Sequence, residues 1–126
     1  TLWVRSANGG KPRKVRIDGI DAPEICQTWG SQSRDALSNR LLNQTVLILA
    51  RRTDGYGRTL AALKFRGEDV GDWMVTHGYA WSYHYQRNVG PYPEQEINAK
   101  AARRGLFAHV PAVRPRDFRK SHGPCQ

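Results

Sequence analysis

The chain holds 126 residues, 39% of them hydrophobic and 25% charged, which is the make-up of one ordinary globular domain rather than a multidomain assembly. Twenty Lys and Arg against eleven Asp and Glu leave a formal charge of +9, a field that draws polyanions, so nucleic acid and anionic membrane surface head the candidate partners. The longest uncharged apolar stretch, Leu41 to Ala50, is broken by Asn43, Gln44 and Thr45 and falls far short of the roughly 20 residues of a bilayer-spanning helix.

In chain order, Leu2 and Val4, then Val15, Ile17 and Ile20, alternate with polar residues on either side of Asn8-Gly9-Gly10-Lys11-Pro12. This pattern predicts a hairpin of two short strands. From Gly30 to Leu42 the residues Ala36, Leu37, Leu41 and Leu42 recur at helical spacing, with Asn43 as a stop, and predict a first helix. Asn43-Gln44-Thr45 matches a glycosylation acceptor pattern, too short a match to carry weight. Val46 to Ala50 reads as a strand, and after a Gly-containing loop Leu60, Ala62, Leu63 and Phe65 read as its partner. Val70 to His77 reads as a short second helix closed by a left-handed Gly78, followed by an extended Tyr79 to Tyr83. Pro93, Glu94 and Glu96 at one end and Lys100, Arg103 and Arg104 at the other suit the two poles of a third helix that Gly105 ends. Pro111 to Gln126, rich in proline and basic side chains, reads as a tail laid over the domain. Short strands, an inserted helix and trailing helices predict an α+β domain on a small barrel. An OB-type Greek-key barrel with about three helices leads the candidates. No stretch offers the continuous apolar helix face that a peripheral membrane protein needs, which removes the membrane from the partners.

Cys26 and Cys125 are too few for a disulfide scaffold, and they stand in no metal-binding spacing with His77, His84, His109 and His122, which argues against zinc. Paired, they would close a loop over most of the chain and place it in an oxidising compartment; unpaired, they are two unrelated reduced thiols.

Two clusters bear chemistry. The segment VRIDGIDAPE, residues 15–24, runs a strand carrying Arg16 into a proline-fixed turn with two carboxylates three residues apart. Asp21 offers a hard oxygen to Ca²⁺ or Mg²⁺, and Glu24 can accept a proton from water beside the metal; the plain alternative is a solvated turn with Arg16 as its ion-pair partner. The segment DGYGR, residues 54–58, turns on two glycines and places Arg58 at a strand mouth, where a guanidinium can grip a phosphate bidentately or stand as an ordinary surface cation.

Together, in this order and in a basic chain, VRIDGIDAPE and DGYGR resemble the staphylococcal nuclease (thermonuclease-like) family. The likeness runs on through Gly78-Tyr79-Ala80, the aromatic run Trp81 to Tyr85 and the helix end AARRGLF, residues 101–107; the tail is similar to those of secreted bacterial members. It implies a nuclease domain over residues 1–109 and a basic, proline-containing tail over 110–126, packed on or near it. It also implies that Arg16 and Arg58 bind and stabilise the scissile phosphate, that Glu24 is the general base, and that Asp21 and the Ala22 backbone carbonyl ligate the metal. Tyr56, Tyr83 and Tyr85 match positions that contact phosphate or base. Trp3, Trp29 and Trp73 are read as barrel core.

The implied activity is metal-dependent, sugar-non-specific hydrolysis of DNA and RNA giving 3′-phosphates, with Ca²⁺ as cofactor and Mg²⁺ or another divalent ion as the alternative. Aromatic rings among cations suit single-stranded or frayed substrate, because stacking is indifferent to sequence. The contrasting reading is a nucleic-acid-binding relative that does not cleave. In the family an aspartate stands just before the threonine that aligns with Thr1, so an upstream strand ending in an acidic turn is expected, and without it the fragment would be inactive. Secretion or a periplasmic location follows from the same likeness and from a bridge between Cys26 and Cys125, which would pin the tail near the acidic turn.

Overall fold

The computed structural model describes residues 2–108 and 112–125. Strand β1 (Leu2–Val4) pairs antiparallel with β2 (Arg13–Ile17), Leu2 opposite Val15 and Trp3 opposite Lys14, which realises the predicted hairpin. Side chains alternate across a strand, so Val15 and Ile17 enter the core while Arg16 between them faces the other way. β2 then pairs in parallel with β5 (Thr59–Phe65), with Val15 opposite Thr59, Arg16 opposite Leu60 and Ile17 opposite Ala61.

Strand β5 is flanked by β2 and by the antiparallel β4 (Leu47–Thr53), and the run from Leu60 to Leu63 is buried throughout. A continuous apolar run is what a strand covered on both faces requires. The register of β4 shifts between Ala50 and Arg52, a bulge that lets the strand continue past the predicted end at Ala50. Glu68–Asp69 (β6) caps the end of β5, and Ile20–Asp21 (β3) pairs with Trp81–Ser82 (β7), all that becomes strand of the extended run expected over Tyr79 to Tyr83. Among the described residues these make one five-stranded sheet and one two-stranded ladder, α+β in class and consistent with an OB-type arrangement, with no closed ladder around a barrel.

The predicted helices appear as α1 (Gly30–Leu41), α2 (Val70–Thr76) and α3 (Pro93–Ala101), followed by a 3-10 turn over Gly105–Ala108. Asp69 caps α2 by accepting from the Gly71 and Asp72 N–H groups, and the Tyr92 hydroxyl donates to the same carboxylate at 3.0 Å. Burial and the Asp69 charge push the Tyr92 phenol far up, so it stays a donor. One core gathers Val15, Ile17, Leu63, Val70, Met74 and neighbours between the sheet and the helices; a second holds Trp81, Ala99, Leu106 and Phe107.

Two expectations need correction. Trp3 is 65% exposed, on the outer side of β1 with the Lys14 ammonium 5.3 Å from its ring centroid, because alternation sends Leu2 and Val4 inward instead. Trp73 and Trp29 do pack, against the first and second core respectively. The helix count rises from the expected three to four: within the tail Pro115–His122 forms α4, with Pro at its start, Asp117 in its first turn and Arg119, Lys120 and His122 in its last. Cys26 and Cys125 are joined in a disulfide. The boundary expected between residues 109 and 110 and the strand expected ahead of Thr1 lie outside the described residues.

Gly78 ends α2 at φ +76°, and a Cβ there would stand 2.2 Å from the Arg104 carbonyl oxygen, whose backbone cannot yield. Gly78→Ala should therefore lose at least about 2 kcal/mol of stability in urea denaturation; an unchanged midpoint would mean that the turn has room to adjust.

Candidate active site

The site starts where β2 ends. Arg16 donates through Nη2 to the Ile20 carbonyl at 3.1 Å, folding its side chain back along the turn, and its guanidinium carbon lies 5.4 Å from the Tyr83 ring centroid. Tyr83 is fixed in turn by its N–H, which donates to the Gly19 carbonyl at 2.9 Å, and by following β7, which pairs with β3. Asp21, opposite Trp81 in that ladder, is partly buried; Ala22 is exposed and Pro23 buried.

Glu24 opens a tight turn that Gln27 closes. The Glu24 N–H donates to Gln27 Oε1 at 3.0 Å, and the Gln27 N–H donates to the Glu24 carbonyl at 2.9 Å. Helix α1 begins directly against this turn: a Cβ on Gly30 would sit 2.0 Å from the Glu24 carbonyl oxygen, so a glycine is required for the helix to approach so closely. The Glu24 side chain reaches outward and its Oε1 is ion-paired with the Arg119 guanidinium of α4.

Charge converges on Asp21. Burial raises its carboxyl above the ordinary range, Glu24 adds to that rise, and Arg119, Arg16 and Arg114 oppose it. The hydrogen bond to Glu24 in turn holds the Arg119 guanidinium above its usual value. Among the described residues no group of three or more His, Cys, Asp or Glu side chains gathers at one point. Asp21, Glu24 and the Ala22 carbonyl are nonetheless hard oxygen donors, which in kind would suit a divalent cation.

The second cluster is the hairpin loop between β4 and β5. Asp54 Oδ1 accepts from the Tyr56 and Arg58 N–H groups at 2.9 and 3.0 Å, and Oδ2 accepts from Arg58 Nε at 2.8 Å. Burial works against the Asp54 charge, yet these hydrogen bonds pull its carboxyl below the ordinary range, so the anion that aims Arg58 is secure. Arg58 lies two residues before Leu60, the register partner of Arg16, and its guanidinium carbon is 5.7 Å from the Tyr56 ring centroid. Tyr56 is 83% exposed. Tyr85 is also exposed, in a small bridge with Asn88 beyond β7.

Arg16, Asp21, Glu24 and Tyr83 are thus gathered around one turn, with Arg58 and Tyr56 one strand over and Tyr85 on a separate loop. Sequence reasoning missed Arg119, Arg114, Gln27 and Gly30. The one signal for the first two was the Cys26–Cys125 pair, which brings the tail to the residue two places after Glu24.

Comparison with known proteins matches residues 14–109 to the staphylococcal nuclease homologue family model. An uncharacterized endonuclease of Haemophilus influenzae is 33% identical over 112 residues, covering 89% of this chain and 63% of its own length. Protein ParB of Escherichia coli is 34% identical over 122 residues, and a micrococcal nuclease of Shigella flexneri 33% identical over 119, the match covering 68% of each. The chain thus spans about two thirds of the length of these relatives, and the family match ends before α4.

The raised Asp21 carboxyl has a consequence for stability. Between its ordinary and raised values the folded chain holds a proton that the unfolded chain has released, so stability falls as pH rises through that window. Without divalent cations, Asp21→Asn should melt above the parent at neutral pH, and the gap should close on acidification to about pH 3, where both states are protonated. Melts at several pH values decide it; a variant less stable at neutral pH contradicts the burial argument.

Proposed function

The chain belongs to the staphylococcal nuclease family, and on that premise we propose that it hydrolyses phosphodiester bonds of DNA and RNA with a divalent cation, Ca²⁺ first and Mg²⁺ as the alternative. The observation that carries this reading is the gathering of Arg16, Asp21 and Glu24 around one turn, with Arg58 delivered to the next strand by a parallel register. Asp21 and the Ala22 carbonyl would hold the cation, which would supply Lewis acidity beside the phosphate.

The chain's own residues do the rest. Glu24 accepts the proton of the attacking water as its oxygen bonds to phosphorus. Arg16 and Arg58 hold the phosphate and neutralise the charge that grows on its oxygens, Arg58 pre-aimed by Asp54. The P–O5′ bond breaks, the leaving oxygen taking a proton from solvent, and the family resemblance implies a 5′-hydroxyl and a 3′-phosphate as products. The exposed rings of Tyr56, Tyr83 and Tyr85 offer stacking surfaces for unpaired bases, which favours single-stranded or frayed substrate and little sequence preference. Secretion or a periplasmic location accords with the disulfide.

Incubating the full-length protein with single-stranded DNA in Ca²⁺ should yield shortened products that a chelator abolishes. Glu24→Gln and Arg58→Ala should each slow cleavage by about 100-fold or more, while Arg116→Ala, on the exposed side of α4, cleaves near the parental rate and lessens only the salt sensitivity of binding. Oligonucleotide binding with no product in Ca²⁺ would leave a binding module instead, and parental cleavage by Arg58→Ala would move the site elsewhere.

A further inference from the structure

We propose that α4 carries a built-in cation for this site: Arg119 is ion-paired with Glu24 beside Asp21 in the resting chain and has to withdraw before a divalent cation binds at Asp21. The proposal rests on the reading that Asp21 and the Ala22 carbonyl hold a divalent ion, with Glu24 beside it. It concerns a segment beyond the family match, which ends at residue 109.

Three contacts fasten the tail around Arg119. Ahead of α4, the Val113 carbonyl accepts from Gln27 Nε2; behind it, Cys125 is bonded to Cys26. Both anchors attach to the turn that Glu24 opens, so the helix is stapled at either end to the segment its arginine contacts. The third anchor is Arg114, whose Nη2 lies 3.5 Å from the buried Glu96 carboxylate. Of the cations within α4, Arg119 alone meets a carboxylate of the domain among the described residues; Arg116 and Lys120 make no ion pair.

The guanidinium on Glu24 and a divalent ion at the neighbouring Asp21 would repel each other at close range, so their binding is competitive. The ion pair itself is weak, since Arg119 is 49% and Glu24 29% exposed at the side chain, and an exposed pair of this kind breaks readily. Its persistence comes from the tether, which keeps Arg119 at high effective concentration beside the turn. Reducing the disulfide leaves the Val113 and Arg114 contacts, so it weakens the competition without ending it.

Calorimetric titration of CaCl₂ into the oxidised chain tests this without reference to nuclease activity. Arg119→Gln should bind Ca²⁺ about fivefold more tightly than the parent, the scale of one exposed ion pair. Arg119→Lys, which keeps a cation on the helix, should stay near the parent. Arg116→Gln, with the same change in net charge on the same helix, should leave the affinity unaltered. The reduced and alkylated parent should move part of the way toward Arg119→Gln. Equal or weaker Ca²⁺ binding by Arg119→Gln, the same tightening in Arg116→Gln, or no heat of Ca²⁺ binding in any form overturns the proposal. Tightened binding in a chain that cleaves no oligonucleotide overturns the nuclease reading and leaves this one standing.

Discussion

The parallel ladder between β2 and β5 sets Val15 opposite Thr59, Arg16 opposite Leu60 and Ile17 opposite Ala61, and both chemistry-bearing clusters hang from it. Parallel neighbours cannot be joined by a tight hairpin, so the chain between them makes a long crossover through β3, α1 and β4. That excursion carries the acidic turn at its start and the Asp54–Arg58 hairpin at its end, and the ladder sets the strands adjoining them side by side. Slipping the register by one residue would turn Arg16 into the core and Val15 out of it, a cost no surface contact offsets. The burial of Val15 and Ile17 on one side of β2 therefore fixes where Arg16 emerges.

From this frame the acidic turn gains its shape by short-range bonds. Gln27 closes it from within, Gly30 lets α1 begin against the Glu24 carbonyl, and β3 pairs Asp21 with Trp81. Two anions are thereby held close together on a chain whose net charge is +9. The surplus of cations is what makes this tolerable: Arg16, Arg114 and Arg119 all act on Asp21. Glu96 shows the same economy in the second core, where a buried carboxylate accepts the Ser82 N–H at 3.0 Å and faces Lys100, His84 and Arg114. Arg114 serves both regions, so the tail is electrostatically part of the domain.

Much of this was legible in the chain. Alternation around Val15 and Ile17 revealed β2, the apolar run from Leu60 revealed a central strand, and the acids and bases flanking residues 93–105 revealed α3 with its ends. Arg16, Asp21, Glu24 and Arg58 were singled out by the resemblance of VRIDGIDAPE and DGYGR to the family's motifs, since the turns alone left a plain surface reading open. The tail helix was obscured by its prolines, although Pro115 at a first helical position with bases following is itself a helix signal. Trp3 lies outside because alternation on so short a strand leaves one residue of three facing solvent, whatever its bulk.

What the sequence by itself determined is local: which residues turn, which alternate, which face is apolar and which side chains can exchange protons or grip phosphate. These follow from φ preferences and from the two periodicities of helix and strand, both confined to a few neighbouring residues. Only the tertiary structure decided that Arg119 would stand on Glu24, 95 residues away, that Gln27 would hold the Val113 carbonyl, and that Arg114 would be shared between Asp21 and Glu96. Such contacts have no signature in any short window, because they arise from how the sheet, the disulfide and the second core position two distant segments in the same space.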